Sequence, residues 1–591
     1  MLTDPILDQE VSSIDLFLEE QNLTAVEKFS QLHDTDRIAR HKTVYQDLIP
    51  LNKPLAGQQY AFEVDLDKCT GCKGCVTACH NMNGLSPDET WRSVGLVHDK
   101  STINSKLIFP QLVLERFQHK YTSQPISLFN SDMAAFQQNV TTACHHCVEP
   151  GCLSGCPVRA YDKDPVTGIV KHLDDQCIGC KYCTLMCPYD VPQYNHKQGI
   201  VRKCDMCSGR LAAGEPPACV QSCPNGAIRI TLVDTARVKQ NAADYVAMPG
   251  VADPHHTYPT TTFKTNRNLV ETMQSADHYF IEPEDPEYPL LFMLVLTQLS
   301  AGAFLLENIL HGFGVEALSP LLTLAAFLSG LVGLGVVQLH LGRPLFAFRS
   351  FLGLKTSWLS REVIVAGMYM GIASLYTALV WLPTIPFLEP YIPTLVLAPW
   401  LRSLVGPAVV LTGFLTVSCS AMVYQVTPRP FWHNGRPFIK FFTTAVILGS
   451  ATTLFVAALY SITQQALSTE ISQIIWPVSG LLIIATVAKL VYEGRFLAVN
   501  LKDETLTSLK KSALLMQRTL LQATQTRFIS AVFGGILLPL ALLSNTSTTG
   551  LLFLATLLFL LTFTGEALER YLFFSCGVAP RMPGNPIRRK L

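Results

Sequence analysis

Sixteen of the chain's 18 cysteines lie between Cys69 and Cys223, in four groups of four. The groups are Cys69, Cys72, Cys75 and Cys79; Cys144, Cys147, Cys152 and Cys156; Cys177, Cys180, Cys183 and Cys187; and Cys204, Cys207, Cys219 and Cys223. The first and third follow C-x2-C-x2-C-x3-C, the run that wraps a cubane iron–sulfur cluster. The second has four residues before its third cysteine and the fourth has eleven. Pro157, Pro188 and Pro224 follow the last cysteine of groups two to four, and His80 takes that place in group one. Three thiolates on one tight loop reach three corners of a cube, and the trailing cysteine serves the other cluster in two-cluster ferredoxins. The pattern therefore predicts four [4Fe–4S] clusters with exchanged fourth ligands. A disulfide framework suits short secreted chains, and zinc sites take two C-x2-C pairs rather than triplets with a trailing C-x3-C-P.

The 591 residues carry no formal net charge and are 49% apolar. No basic field is available to meet phosphates, so no nucleic-acid partner is expected. Residues 1–60 form an arm with helical periodicity over Ile14–Phe29, without an apolar run fit for a signal peptide or an Arg-Arg pair. Residues 61–235 hold the cysteines. Ala61–Leu66 and Ala227–Leu232 alternate like strands around the first and last loops, as in two ferredoxin-like halves, and Leu107–Phe117 adds candidate strands. Residues 236–288 read as a linker, with Asp253, His255 and His256 as solvated loop residues. Cys419 and Cys576 sit in apolar stretches as inert thiols.

Composition changes at Pro289. Apolar segments near 289–311, 318–339, 362–384, 403–425, 441–463, 474–493, 527–546 and 549–574 are each long enough to span a bilayer. The fold class is thus an α+β double ferredoxin-like domain fused to an all-α bundle of eight transmembrane helices (289–575), with a basic tail over 576–591. Arg343, Arg349, Lys355 and Arg361 fill loop two–three, and Arg429, Arg436 and Lys440 fill loop four–five. Arg495, Lys502, Lys510, Lys511, Arg518 and Arg527 fill loop six–seven, whereas the opposite loops hold only Arg402. The positive-inside rule places the basic side, both termini and the cluster domain in the cytoplasm, on the cytoplasmic membrane; the alternative is a complex exported on a partner's signal peptide. Leu506, Leu509, Ala513, Met516 and Leu520 share one helical face and predict a helix lying on the membrane surface.

Ionisable residues inside a bilayer mark function or pair with one another. His340 and Glu362 flank one short basic loop on the cluster side. Together they provide a donor–acceptor pair, a proton route and proximity to a cluster, as a quinone site needs. Lys489, Glu493 and Arg570 read as helix-end residues at headgroups. Glu307 and His311, four apart on one face, form a proton path or a local pair. His311 and His340 lie near opposite ends of their spans, so no membrane haem is expected.

The motifs CTGCKGCVTAC, CHHCVEPGCLSGCP, CIGCKYCTLMCP and CDMCSGRLAAGEPPACVQSCP resemble the four-cluster subunit of the complex iron–sulfur molybdoenzymes. QLHLGRP at Gln338–Pro344, LSREV at Leu359–Val363 and TGEALER at Thr564–Arg570 resemble the dimethyl sulfoxide reductase membrane anchor. The resemblance implies one cluster on Cys69, Cys72, Cys75 and Cys223, and its twin on Cys204, Cys207, Cys219 and Cys79. It implies an inner pair on Cys144, Cys147, Cys152 and Cys187, and on Cys177, Cys180, Cys183 and Cys156. The family's quinol-site histidine and glutamate fall on His340 and Glu362. The chain is then an electron-transfer and anchor subunit that links menaquinone, ubiquinone or plastoquinone to a separate molybdopterin-containing catalytic subunit. The alternatives are a redox-linked proton translocator and a cluster scaffold without quinone chemistry. The dimethyl sulfoxide reductase complex is exported and its subunits are separate. The fused, cytoplasm-facing reading of this chain suits a quinone-linked sulfite dehydrogenase.

Overall fold

A computed structural model describes residues 47–50, 52–99, 136–267, 269, 273–385, 399–463, 469–544 and 547–584. The helix expected over Ile14–Phe29, the strands expected over Leu107–Phe117 and the end of the basic tail lie outside the described residues. The alternating stretch before the first cysteine becomes β1 (Gln58–Asp65), with Tyr60, Phe62 and Val64 buried. It pairs antiparallel with β8 (Ile228–Asp234), from Gln58 opposite Asp234 to Val64 opposite Ile228. That register fixes the first and last cysteine loops at one end of the sheet, because Cys69 follows Val64 as closely as Cys223 precedes Ile228.

A second sheet orders β10 (Met273–Ser275), β2 (Ser93–Asp99) and β3 (Gln137–Thr142), and β3 runs straight into Cys144. Hairpins β4–β5 (Tyr161–Lys163, Val170–His172) and β6–β7 (Gln193–Asn195, Ile200–Arg202) separate the later loops. Residues 236–288 do more than link. β9 (Thr262–Lys264) pairs parallel with β1, and β10 pairs with β2. These three-residue strands are too short to leave a periodic signal.

Eight helices among the described residues are long and apolar enough to cross a membrane. They are Tyr288–Gly312, Ser319–His340, Trp358–Thr384, Trp400–Gln425, Arg436–Thr463, Gln473–Lys502, Leu521–Leu543 and Thr548–Ser575, here spans one to eight. Spans one and five cross on small residues: a Cβ added to Gly302 would lie 1.9 Å from Ala445 O, and Gly449 faces Gly302 in turn. Such close backbone approach is how helices gain packing where lipid supplies no hydrophobic drive.

The helix predicted on the membrane surface takes a different place. Ser508–Leu514 continues into a π-type turn over Leu515–Thr519. Ala513, Leu515 and Met516 are buried, the latter two in a cluster with Phe431, Trp432 and Phe573. Ser512 Oγ donates to Cys576 O at 2.6 Å. The apolar face seals protein instead of dipping into lipid; periodicity reports a buried face but not what buries it.

The two halves meet through backbone. Arg343 N donates to Ile178 O at 3.0 Å, and Gly353 N donates to Pro157 O at 2.7 Å. A Cβ on Gly342 would meet Gly199 O at 2.0 Å. Arg343 and Arg349 donate to the carbonyls of Asp174 and Asp175, both at 2.9 Å, so the basic loop between spans two and three binds the cysteine domain. Gly342→Ala is expected to destabilise this junction by about 1–3 kcal/mol through overpacking. Thermal unfolding of the full chain in detergent, compared with Gly335→Ala, where a Cβ meets nothing within 4 Å, checks it.

Candidate functional site

The four cysteine loops repeat one backbone device. The residue before each second cysteine is left-handed: Gly71 (φ 72°), His146 (φ 40°), Gly179 (φ 70°) and Met206 (φ 60°). Glycine adopts this freely; a residue with a Cβ does so only when its surroundings hold it. His146 and Met206 are buried, and His146 Nδ1 accepts from Val170 N at 3.1 Å. The turn aims amides at sulfur. His146, Gly179 and Met206 N–H groups lie 3.5, 3.4 and 3.4 Å from Cys144, Cys177 and Cys204 Sγ. Ala160 and Ala227 N–H groups lie 3.2 and 3.3 Å from Cys156 and Cys223 Sγ. Donors aimed at sulfur favour the thiolate, the form that binds metal.

The thiols gather in four sets. Cys69, Cys72, Cys75 and Cys223 line one cavity, with Thr141 and Pro224. Cys144, Cys147, Cys152 and Cys187 line another, with Lys203 and Tyr189. Cys79 lies within charge range of Cys204, Cys207 and Cys219. Cys156 does so with Cys177, Cys180 and Cys183. Each set takes three sulfurs from one loop and one from another, in the sets that the resemblance implies. Burial, and then the neighbouring sulfurs among other groups, pushes the Cys147 and Cys152 thiols up to about 12. Thiols so buried need the positive charge of iron to stand as thiolates. Among the described residues no group of three His, Cys, Asp or Glu closes on a single metal ion. Asp253 and His255 hold a local turn, with Asp253 Oδ1 2.9 Å from His255 N.

The sets stand in series. Cys75 is close to Cys219, Cys204 to Cys144, and Cys152 to Cys156. Cys72, at one end, is exposed. The other end rests on the membrane half, where Tyr182 OH donates to Val423 O at 2.9 Å.

His340 occupies that junction. Its Nδ1 lies 3.0 Å from Glu287 Oε2 and its Nε2 lies 3.1 Å from Cys180 O. Glu287 and the Cys180 carbonyl thus engage both nitrogens of the His340 ring. Lys181 Nζ, 2.9 Å away, holds the other Glu287 oxygen. Burial alone would raise the Glu287 carboxyl, but hydrogen bonds from His340 and Lys181 hold it down at about 2. Glu362 is buried, accepts from Ser420 Oγ, and acts by charge on Tyr182 and Tyr424. His340 and Glu362 do not hydrogen-bond each other; they flank one cysteine loop, at Cys180 and at Tyr182. Sequence reasoning missed Glu287 and Lys181. Glu287 sits one residue before the first span and carries no motif, although Lys181 stands inside CIGCKYC.

Lys489, Glu493 and Arg570 do not reach headgroups. Lys489 and Arg570 are fully buried, and Glu493 is 5% exposed. Lys489 pairs with Glu566 at 2.5 Å, Lys440 with Glu569 at 2.8 Å, and Arg527 with Glu566 at 3.1 Å and Glu493 at 3.4 Å. Arg570 lies 3.5 Å from Glu569. Lys440 and Arg527, read as loop charges, belong to this network. Glu307 and His311 are not a pair either: Glu307 takes Tyr376 OH at 2.7 Å and Arg402 at 3.0 Å, while His311 lies 3.6 Å from Glu316. Partner choice across helices is invisible to spacing within one.

Comparison with known proteins gives two family matches: "4Fe-4S dicluster domain" over residues 136–232 and "DMSO reductase anchor subunit (DmsC)" over residues 284–576. The sequence is 33% identical to the B subunit of the anaerobic dimethyl sulfoxide reductase of Escherichia coli strain K12, across 38% of this protein and 98% of that one. It is 30% identical to the hydrogenase-2 operon protein HybA of Escherichia coli O157:H7, across 46% and 84%. It is 31% identical to the formate dehydrogenase iron–sulfur subunit of Haemophilus influenzae, across 42% and 78%.

The grouping of thiols makes a prediction. Cys223→Ser and Cys69→Ser are expected to perturb one and the same redox centre, and Cys79→Ser and Cys204→Ser another. Electron paramagnetic resonance of the reduced full chain checks this; Cys223→Ser acting on the centre that Cys204→Ser alters would refute the exchange.

Proposed function

This chain belongs to the complex iron–sulfur molybdoenzyme family, as a dimethyl sulfoxide reductase-type iron–sulfur subunit fused to a DmsC-type membrane anchor, and on that premise we propose that it carries electrons between membrane quinone and a separate molybdopterin-containing subunit. It is a multi-pass membrane protein with a role in iron–sulfur electron transfer. Four [4Fe–4S] clusters, bound at the four thiol sets, would supply single-electron steps. Menaquinone, ubiquinone or plastoquinone fits the membrane end, and we include no haem in this reading.

The observation that carries the reading is the contact of His340 with Cys180, a cysteine of the innermost set. An electron at that set is then within one side chain of a membrane-embedded proton donor. Glu362, and His340 on exchanging its Cys180 O contact, would bind the two quinone oxygens. Glu287, itself held by Lys181, orients the His340 ring. At the opposite end Cys72 is exposed, and Lys68 and Lys73 stand beside it, so the catalytic partner would dock there. The substrate of that partner would be an S-oxide or sulfite. Loops two–three and four–five lie on the side of the cysteine domain, through Arg343 and Tyr182. With the positive-inside rule this supports a domain that faces the cytoplasm.

His340→Ala and Glu362→Gln are expected to lower quinone-linked turnover about a hundredfold or more, the scale of a lost acid–base group. Electron entry from a soluble dye into the cysteine domain should be unchanged. Steady-state turnover with quinol and with dye distinguishes the two; normal quinone turnover in His340→Ala would end this assignment. A single cysteine placed at Asn434, in the loop between spans four and five, is expected to react with a membrane-impermeant thiol reagent only after the membrane is opened. Labelling of intact cells would overturn the orientation.

A further inference from the structure

Two buried cations stand between the thiol sets, and the electron-transfer reading above does not use them. Arg92, just before β2, is 2% exposed. Its guanidinium lies over the Phe62 ring at 4.7 Å, and its Nη1 donates to Thr141 Oγ1 at 3.2 Å. That same hydroxyl is 3.5 Å from Cys75 Sγ. Arg92 Nε and Nη2 have no nitrogen or oxygen partner among the described residues, and the guanidinium faces the Cys219 sulfur. The charges that act on the guanidinium come from Cys219, Cys75, Cys204 and Cys79, members of two successive sets. Lys203 is also 2% exposed. Its Nζ donates to Val170 O and, at 2.8 Å, to Cys204 O, and lies 3.8 Å from Cys144 Sγ. Cys144, Cys152 and Cys204 act on it by charge, with Asp205 acting from beyond ion-pair distance. Lys203 therefore stands between the second and third sets, as Arg92 stands between the first and second.

A buried cation without a counter-ion costs several kcal/mol. Among the described residues neither side chain forms an ion pair with a carboxylate, so the compensating charge is that of the thiolate sets. The relation is reciprocal. One-electron reduction adds a negative charge at a set, breaks no bond and takes up no proton, and a cation in a low-dielectric interior favours the more negative state. We propose that Arg92 and Lys203 set the reduction potentials of successive cluster pairs, Arg92 those of the outer two and Lys203 those of the central two. They are positioning residues for charge; neither occupies a cluster-ligand position.

The inference rests on the four-cluster reading, and iron content, about sixteen per chain, reports on that reading separately in the same samples. The test is a redox titration, read by electron paramagnetic resonance, of the full chain in its native membrane. Arg92→Gln is expected to lower two of the four potentials, each by about tenfold in the reduction constant, or about 59 mV. Lys203→Gln is expected to lower two, one of them shared with Arg92→Gln. The innermost centre should move in neither, and Arg92→Lys should stay near the parent. With iron retained, unchanged potentials or a uniform shift of all four centres would overturn the proposal, as would Arg92→Lys behaving like Arg92→Gln. If Arg92→Gln fails to assemble, Lys203→Gln against Lys203→Arg decides: movement of the outermost centre overturns the pairing.

Discussion

The exchange of one cysteine between loops is the constraint on which the rest of this structure depends. A loop that wrapped its own cluster alone could drift relative to its neighbours. Here Cys223 joins the first loop and Cys187 joins the second in lining their cavities, so each cavity is closed by two loops. The β1–β8 register brings the outermost pair together, and the hairpins β4–β5 and β6–β7 space the inner loops. The left-handed residue before each second cysteine then turns amides onto sulfur. Sheet pairing, backbone dihedral and the grouping of thiols agree, which is the consistency across levels expected of a well-specified fold.

Charge in the membrane half follows the same logic. Lys440, Lys489, Arg527 and Arg570 meet Glu493, Glu566 and Glu569 in a network from spans five to eight. In lipid each of these groups alone would be costly, and together they define which helices may pack. Glu307 with Arg402 and Tyr376 does the same near the other face. The positive-inside count therefore included two cations, Lys440 and Arg527, that never meet headgroups. Arg343 and Arg349 bind the cysteine domain. The side on which the basic loops gather is real, but docking explains part of it.

Much of the architecture was legible because its signals are local. Cysteine spacing marks the loops, alternation marks β1 and β8, and apolar length marks eight spans. What stayed hidden depends on long-range partners. Nothing in the sequence says that Glu287 will meet His340, or that Lys489 will meet Glu566. The Ser508–Thr519 segment shows the limit well: its amphipathic face was plain, yet the aromatic cluster that receives it comes from spans five and eight and the loop before span five. His146 is a subtler case. Only superposing the four loops shows it standing where Gly71 and Gly179 stand.

Fusion changes what the interface between the halves must do. Separate subunits must offset the loss of translational and rotational freedom with buried contact area. In one chain the docking step is intramolecular and proceeds at high effective concentration. The contacts seen here suit that regime. They combine main-chain hydrogen bonds from Arg343 and Gly353 to Ile178 and Pro157, side-chain bonds to backbone carbonyls from Tyr182, Ser357 and Arg349, and glycine against glycine at Gly342 and Gly199. The glycine contacts let backbones approach closely, while Tyr182, Leu185 and Met186 pack into the apolar core of the membrane half. For an electron path, closeness at Cys180 and His340 matters more than affinity, because tunnelling falls steeply with distance. The covalent tether supplies the association, which leaves the contacts at the junction free to serve alignment.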